Sequence, residues 1–195
     1  MVTVYYWGEN LYGHVSVSAG GQYLSFAPAN SDKSLQELFP VPPFSNGVPS
    51  RYIKFENDNT WDARTTQSHH LDETSVSSAI ARIKSSQPAY SLGGNNCSHM
   101  ALKVLHAGLS DHDKSWVSSM LDYAKGLGGR HVDGCGTIDE VEDHLLENAS
   151  RFAPALARMR SPKAGIATIA AALVLGGKRA LIASPADVVR FMNSH

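Results

Sequence analysis

Apolar residues recur at period two early in the chain and at helical spacing later. VTVYYW at 2–7 is dense in β-branched and aromatic side chains and predicts a strand, with a turn at 8–10. In HVSVSA, Val15, Val17 and Ala19 alternate with His14, Ser16 and Ser18, the pattern of a strand buried on one face. Gly20-Gly21 predicts a hairpin turn and residues 22–27 its return strand, which Pro28 ends. RYIKF at 51–55 predicts a third strand. Between them, residues 28–50 read as a loop interrupted by prolines, with Leu35, Leu38, Phe39 and Phe44 as anchors. A loop of that length suits either a packed surface or a lid over a cleft. Residues 56–68 are polar and read as turns.

Helical spacing begins at 71–84, where Val76, Ile80 and Ile83 share a face and Asp72 or Thr74 offers a cap. YSLGGNNCSHMALKVLHAG at 90–108 reads as a loop followed by a helix: Asn95 or Asn96 caps it, Met100, Ala101, Val104 and Leu105 form its buried face, and Gly108 stops it. Further helices are predicted at 110–125 and from Thr137, where Glu140 completes a capping box, to about 148. From residue 151 the composition turns to alanine. Ser161-Pro162 opens an almost wholly apolar helix, and Ser184-Pro185 opens a last short one carrying Val188, Val189, Phe191 and Met192. The predicted class is α+β, a small antiparallel sheet packed against helices, with one domain at 1–150 and a helical C-terminal extension at 151–195.

Composition narrows the partners. The chain has 195 residues, Lys+Arg 17 against Asp+Glu 18 and a net charge of −1, with no basic stripe, so nucleic acid is not an expected partner. Cys97 and Cys135 are too few for a disulfide framework. The first residues lack the basic start and apolar run of a signal peptide, which predicts synthesis in the cytoplasm and leaves export by a signal-less route open. The apolar stretch at 164–175 is shorter than the roughly 20 residues that span a bilayer. Residues 161–192 are expected to pack on the core or a partner protein, with contact to a membrane the other reading.

The candidate chemistry centres on Cys97. At a helix start it meets the positive end of the helix dipole, which favours thiolate; the competing reading is a small buried cysteine. A nucleophilic thiolate needs a base, and His14, on the polar side of its strand, is the candidate, with Ser25 placed across the hairpin to orient the imidazole. Asp62 is the alternative third member. The Cys97 backbone N–H would serve an oxyanion; Tyr90 or Asn96 could supply a second donor, and a structural role is the favoured reading of both. His99, two residues after Cys97, projects away from it. His69-His70 beside Asp72 reads as a solvated loop, and His131, Asp133 and Cys135 lack a fourth zinc ligand. Neither a metal nor a cofactor is expected.

HVSVSAGGQYLSFAP followed by YSLGGNNCSHMAL resembles the circularly permuted NlpC-type papain-like superfamily, and within it the lecithin:retinol acyltransferase-like branch. The resemblance covers roughly residues 10–28 and 88–108. It implies a permuted papain-like fold with His14 as base and Cys97 as nucleophile; Ser25 falls where many members place a second histidine or another polar residue. It further implies thiol chemistry on a peptide-like, acyl or protein substrate. The expected function is a cysteine hydrolase cleaving an amide or peptide-like bond through an acyl-Cys97 intermediate. The absent signal and the apolar tail suit a secreted bacterial effector or toxin. The alternatives are a thiol acyltransferase moving a fatty acyl chain to an amine or alcohol of a lipid or protein, and a catalytically dead binding module.

Overall fold

The computed structural model describes residues 1–8, 13–30, 47–91, 95–115 and 183–194. Five antiparallel strands, β1 (Val2–Trp7), β2 (His14–Ala19), β3 (Gln22–Pro28), β4 (Ser50–Tyr52) and β5 (Arg64–Ser68), form one sheet in the order β4-β3-β2-β1-β5. Three helices, α1 (Glu73–Ser86), α2 (Cys97–Ala107) and α3 (Pro185–Ser194), pack on it. Residues 111–115 begin a further helix.

The alternation in the first hairpin decides which face is which. Val2, Val4, Val15, Val17, Leu24 and Phe26 are each no more than 2% exposed and share a core with the helices. Gly20 and Gly21 both have positive φ, 54° and 74°, so the tight turn between β2 and β3 needs residues without a Cβ penalty. That turn sets Ser16 opposite Ser25. Pro28 is the last residue of β3 rather than its stop: it pairs with Ser50 on the edge strand β4.

Two expectations about strands change. The third strand is confined to Ser50–Tyr52, because Phe55–Asn57 coils into a 3₁₀ turn. Phe55 is drawn onto the outer face of the sheet, 5.9 Å from the Tyr5 ring and 5.1 Å from that of Tyr23. After a second 3₁₀ turn at Thr60–Asp62, the polar run Arg64–Ser68 is an edge strand paired with β1 from Val2↔Ser68 to Tyr6↔Arg64. Its side chains carry almost no apolar signal. Backbone pairing supplied by β1 makes the strand.

Asp72 caps α1 by accepting from Ser75 N–H at 2.7 Å. The middle helix, α2, lies between sheet, α1 and α3, so Met100, Ala101, Leu102, Val104 and Leu105 are all buried, each large one contributing about 1.5–3 kcal/mol relative to exposure. Gly108 does end α2, though with φ −83° rather than left-handed. Its need for glycine is steric: a Cβ there would sit 2.5 Å from Val76 Cγ2 on α1. Helix α3 buries Val188, Phe191 and Met192 against α2 and strands β1, β2 and β5, in the same core as the sheet. Among the described residues, no helix is long and apolar enough to cross a membrane. The predicted helices at 137–148 and 162–175, most of the helix at 110–125 and most of the proline-rich loop lie outside the described residues.

Candidate active site

Both asparagines before Cys97 are committed to placing it. Asn95 Nδ2 donates to Ala89 O at 2.8 Å, and Asn95 pairs through its backbone with Ser91, closing the ends of the loop. Val48 and Tyr90 exchange both backbone hydrogen bonds, which ties the loop to the chain before β4. Asn96 is the N-cap: its Oδ1 accepts from His99 N–H at 2.9 Å. His99 Nδ1 lies 2.7 Å from the same oxygen and donates to it when that nitrogen carries the proton; in the other tautomer it accepts from the Asn96 N–H at 3.3 Å, the second half of a capping box. The other end of the amide, Nδ2, donates to Ala183 O at 2.8 Å. Asn96 therefore joins the start of the cysteine helix to the segment leading into α3. His99 is 1% exposed and serves this cap, apart from the thiol chemistry.

His14 opens β2, paired with Trp7 on β1, and the two rings lie 5.4 Å apart at 34°. The β2–β3 ladder ends at Ser16↔Ser25, so β2 and β3 are free to part beyond that pair. The His14 side chain and the Val15 backbone N–H, one residue beyond the ladder, are close enough to Cys97 to favour its charged form. Ser25 is one step along the ladder and on the same face as His14; its Oγ is 2.8 Å from His14 Nε2.

The electrostatics of the pair run in opposite directions. Cys97 is 6% exposed. Burial pushes its thiol up, but the hydrogen bond from His14, the imidazolium charge, the Val15 N–H and the Ser98 hydroxyl outweigh it and bring the thiol below its ordinary value. Burial pushes His14 down, but the hydrogen bond to Cys97, the thiolate charge and the charge of Asp58 raise it above the ordinary imidazole value. Each shift favours the charged form of its group, so the two side chains reinforce one another as an ion pair.

Asp58 is the residue that the sequence reading missed. Asp62, four residues on, is exposed at the end of the second 3₁₀ turn. Asp58 is 8% exposed; its Oδ2 accepts from the Tyr23 hydroxyl, and its Oδ1 lies 3.9 Å from His14 Nε2. The Tyr23 hydroxyl also meets Ser16 Oγ at 2.7 Å. Burial and the Asp58 carboxylate hold the Tyr23 phenol protonated. A turn-rich run with acids at 56, 58 and 62 carries no periodicity that says which one faces inward.

Of the proposed helpers, Tyr90 is buried, its ring 5.4 Å from Phe26, and its phenol is raised by burial and then by the Cys97 charge, which places it in the field of the thiolate. Asn96 is occupied by the cap. His69 and His70 are exposed and Asp72 is spent on its helix. Among the described residues no group of three His, Cys, Asp or Glu could hold a metal ion. His131, Asp133 and Cys135 lie outside the described residues. Comparison of the chain with protein-family models, curated proteins and solved structures found no match.

Proposed function

We propose that the chain is a cysteine hydrolase of the permuted papain-like kind, cleaving an amide or peptide-like bond. One arrangement carries the reading: Cys97 stands at a capped helix start beside His14, whose ring is held by Ser25 at 2.8 Å and whose proximity lowers the thiol in spite of its burial. A buried structural cysteine in apolar surroundings goes the other way. The order of parts also supports it, with the base on an early strand, the third polar group on its hairpin partner, and the nucleophile on a later helix.

The chemistry follows from the arrangement. The Cys97 thiolate attacks the substrate carbonyl carbon, and the electron pair of the C=O moves to oxygen. The Cys97 N–H, which the Asn96 cap does not use, is the donor offered to that oxyanion. The tetrahedral adduct collapses with loss of the amine, which takes a proton from the His14 imidazolium. Neutral His14 then removes a proton from water as that water attacks the acyl-Cys97 thioester. Collapse releases the acid and restores thiolate and imidazolium. Ser25 accepts from Nε2–H and keeps the ring oriented through both half-reactions. If an amine or alcohol replaces water in the second half, the same residues carry out acyl transfer.

Peptide-level mass spectrometry after alkylation at pH 6 tests the reading and separates Cys97 from Cys135. An ordinary thiol of pKa near 8.5 is only about 0.3% thiolate at that pH. The expected result is labelling of Cys97 at least about tenfold faster than the same cysteine in His14→Ala, and an acylated Cys97 with amide or thioester probes. Rates following an ordinary thiol in the folded protein would move the chain to the binding-module reading. Release of the acyl group to water or to an added amine separates hydrolysis from transfer. Toxicity in the target's compartment that is lost in Cys97→Ala would support the effector reading.

A further inference from the structure

Asp58 is a carboxylate in an unusual position for a surface segment. It is 8% exposed, it lies between two 3₁₀ turns, and its two oxygens are used differently. Oδ2 takes the Tyr23 hydroxyl, whose own oxygen is anchored by Ser16, while Oδ1 is turned toward His14 Nε2 at 3.9 Å. A buried carboxylate requires a counter-charge. Among the described residues, the cation within 4 Å of Asp58 is His14 in its protonated form. The segment is held to the sheet by Phe55, packed on Tyr5 and Tyr23, and Asn59 takes the left-handed conformation, φ 47°, immediately after Asp58.

We infer that Asp58 is a positioning residue of this site: its carboxylate, fixed by the Tyr23 hydroxyl and 3.9 Å from His14 Nε2, adds to Cys97 a second negative charge that favours the imidazolium, with Ser25 as the direct hydrogen-bond partner. Among the described residues, four groups face the imidazole. Cys97 faces it from α2, Ser25 from β3, the Trp7 ring from β1, and Asp58 from the segment between β4 and β5. Of these, Cys97 and Asp58 supply negative charge. At 3.9 Å Asp58 makes no hydrogen bond to the ring, so it acts through charge, and the neutral Ser25 hydroxyl sets the direction of Nε2–H. Such a division lets a serine stand where an acid or histidine would otherwise both orient and charge the base.

The inference rests on the Cys97–His14 reading, and the test separates the two. NMR titration of the His14 ring is carried out in Cys97→Ala, where the thiolate is gone, and in Cys97→Ala combined with Asp58→Asn. Asn is isosteric and its carbonyl can still accept from Tyr23, so the fold is retained; thermal melting checks this. The expected result is a fall in the His14 midpoint of about one pH unit on adding Asp58→Asn, the small end of the effect of an opposite charge within about 4–6 Å. In the presence of Cys97, Asp58→Asn is expected to shift the pH profile of Cys97 alkylation and to slow labelling at pH 7 several-fold. Tyr23→Phe, which frees the carboxylate, should give a smaller shift in the same direction. An unchanged His14 midpoint in the folded double variant overturns the inference even if Cys97 remains activated. Ordinary thiol behaviour of Cys97 in the unmodified protein, with a His14 midpoint that still depends on Asp58, overturns the hydrolase reading instead.

Discussion

Asn96→Ala should be among the most damaging single changes outside Cys97 and His14. The side chain is 3% exposed and serves three partners at once: His99 N–H at 2.9 Å, His99 Nδ1 at 2.7 Å and Ala183 O at 2.8 Å. Loss of an N-cap costs about 1 kcal/mol. The imidazole N–H and the Ala183 carbonyl would be left buried, at roughly 1–3 kcal/mol each. A water entering the vacated space recovers part of this, so the expected destabilisation is about 3 kcal/mol. For a chain of this length that corresponds to a fall in Tm of roughly 6–12 °C. Urea unfolding reads it as a lower midpoint at constant m. Asn96→Asp is the informative companion. It keeps the cap acceptor but sets a second oxygen against Ala183 O and an anion beside Cys97. It is expected to be destabilised as well, and to raise the Cys97 thiol relative to the unmodified protein. An Asn96→Ala protein within about 1 kcal/mol of the unmodified one would refute the claim that this amide joins the cysteine helix to the C-terminal segment.

Other consequences can be measured independently. Gly108→Ala should lose about 1–3 kcal/mol in chemical denaturation, because its Cβ would meet Val76 Cγ2 at 2.5 Å; Gly108→Ala with Val76→Ala should recover part of the loss. Ser25→Ala removes the acceptor 2.8 Å from His14 Nε2 and is expected to slow acylation of Cys97 about tenfold while leaving the melting temperature nearly unchanged. Cys97→Ala should lower the His14 titration midpoint, since burial, the largest influence on the ring, acts downward and the thiolate no longer opposes it. The stabilisation from a raised His14 is present below the ordinary imidazole value and lost as pH rises through the raised one, so Cys97→Ala should move that loss to lower pH. Asp72, lowered chiefly by its hydrogen bonds to Ser75, stabilises above the ordinary carboxylate value and loses that contribution as pH falls through its own; Asp72→Asn should flatten the acid limb of the stability curve.

The first hairpin and the cysteine helix were legible because their signals are local. The alternation in HVSVSA sets the buried face, paired glycines define the turn, and an Asn-Cys step before an apolar face marks a capped helix. Those features also placed His14, Ser25 and Cys97 in candidate roles, since strand register and helix start follow from neighbours in the chain. What the chain could not state locally was decided by contacts between distant segments. Arg64–Ser68 becomes a strand because β1 offers an unpaired edge, and its own side chains carry little apolar content. Gly108 is required by the approach of Val76, thirty-two residues earlier, and not by its own dihedral. Asp58 rather than Asp62 faces the imidazole because Phe55 anchors its turn on Tyr5 and Tyr23. Backbone periodicity orders residues within an element. Which acid turns inward from a polar turn depends on what packs above and below it, and only the folded arrangement supplies that.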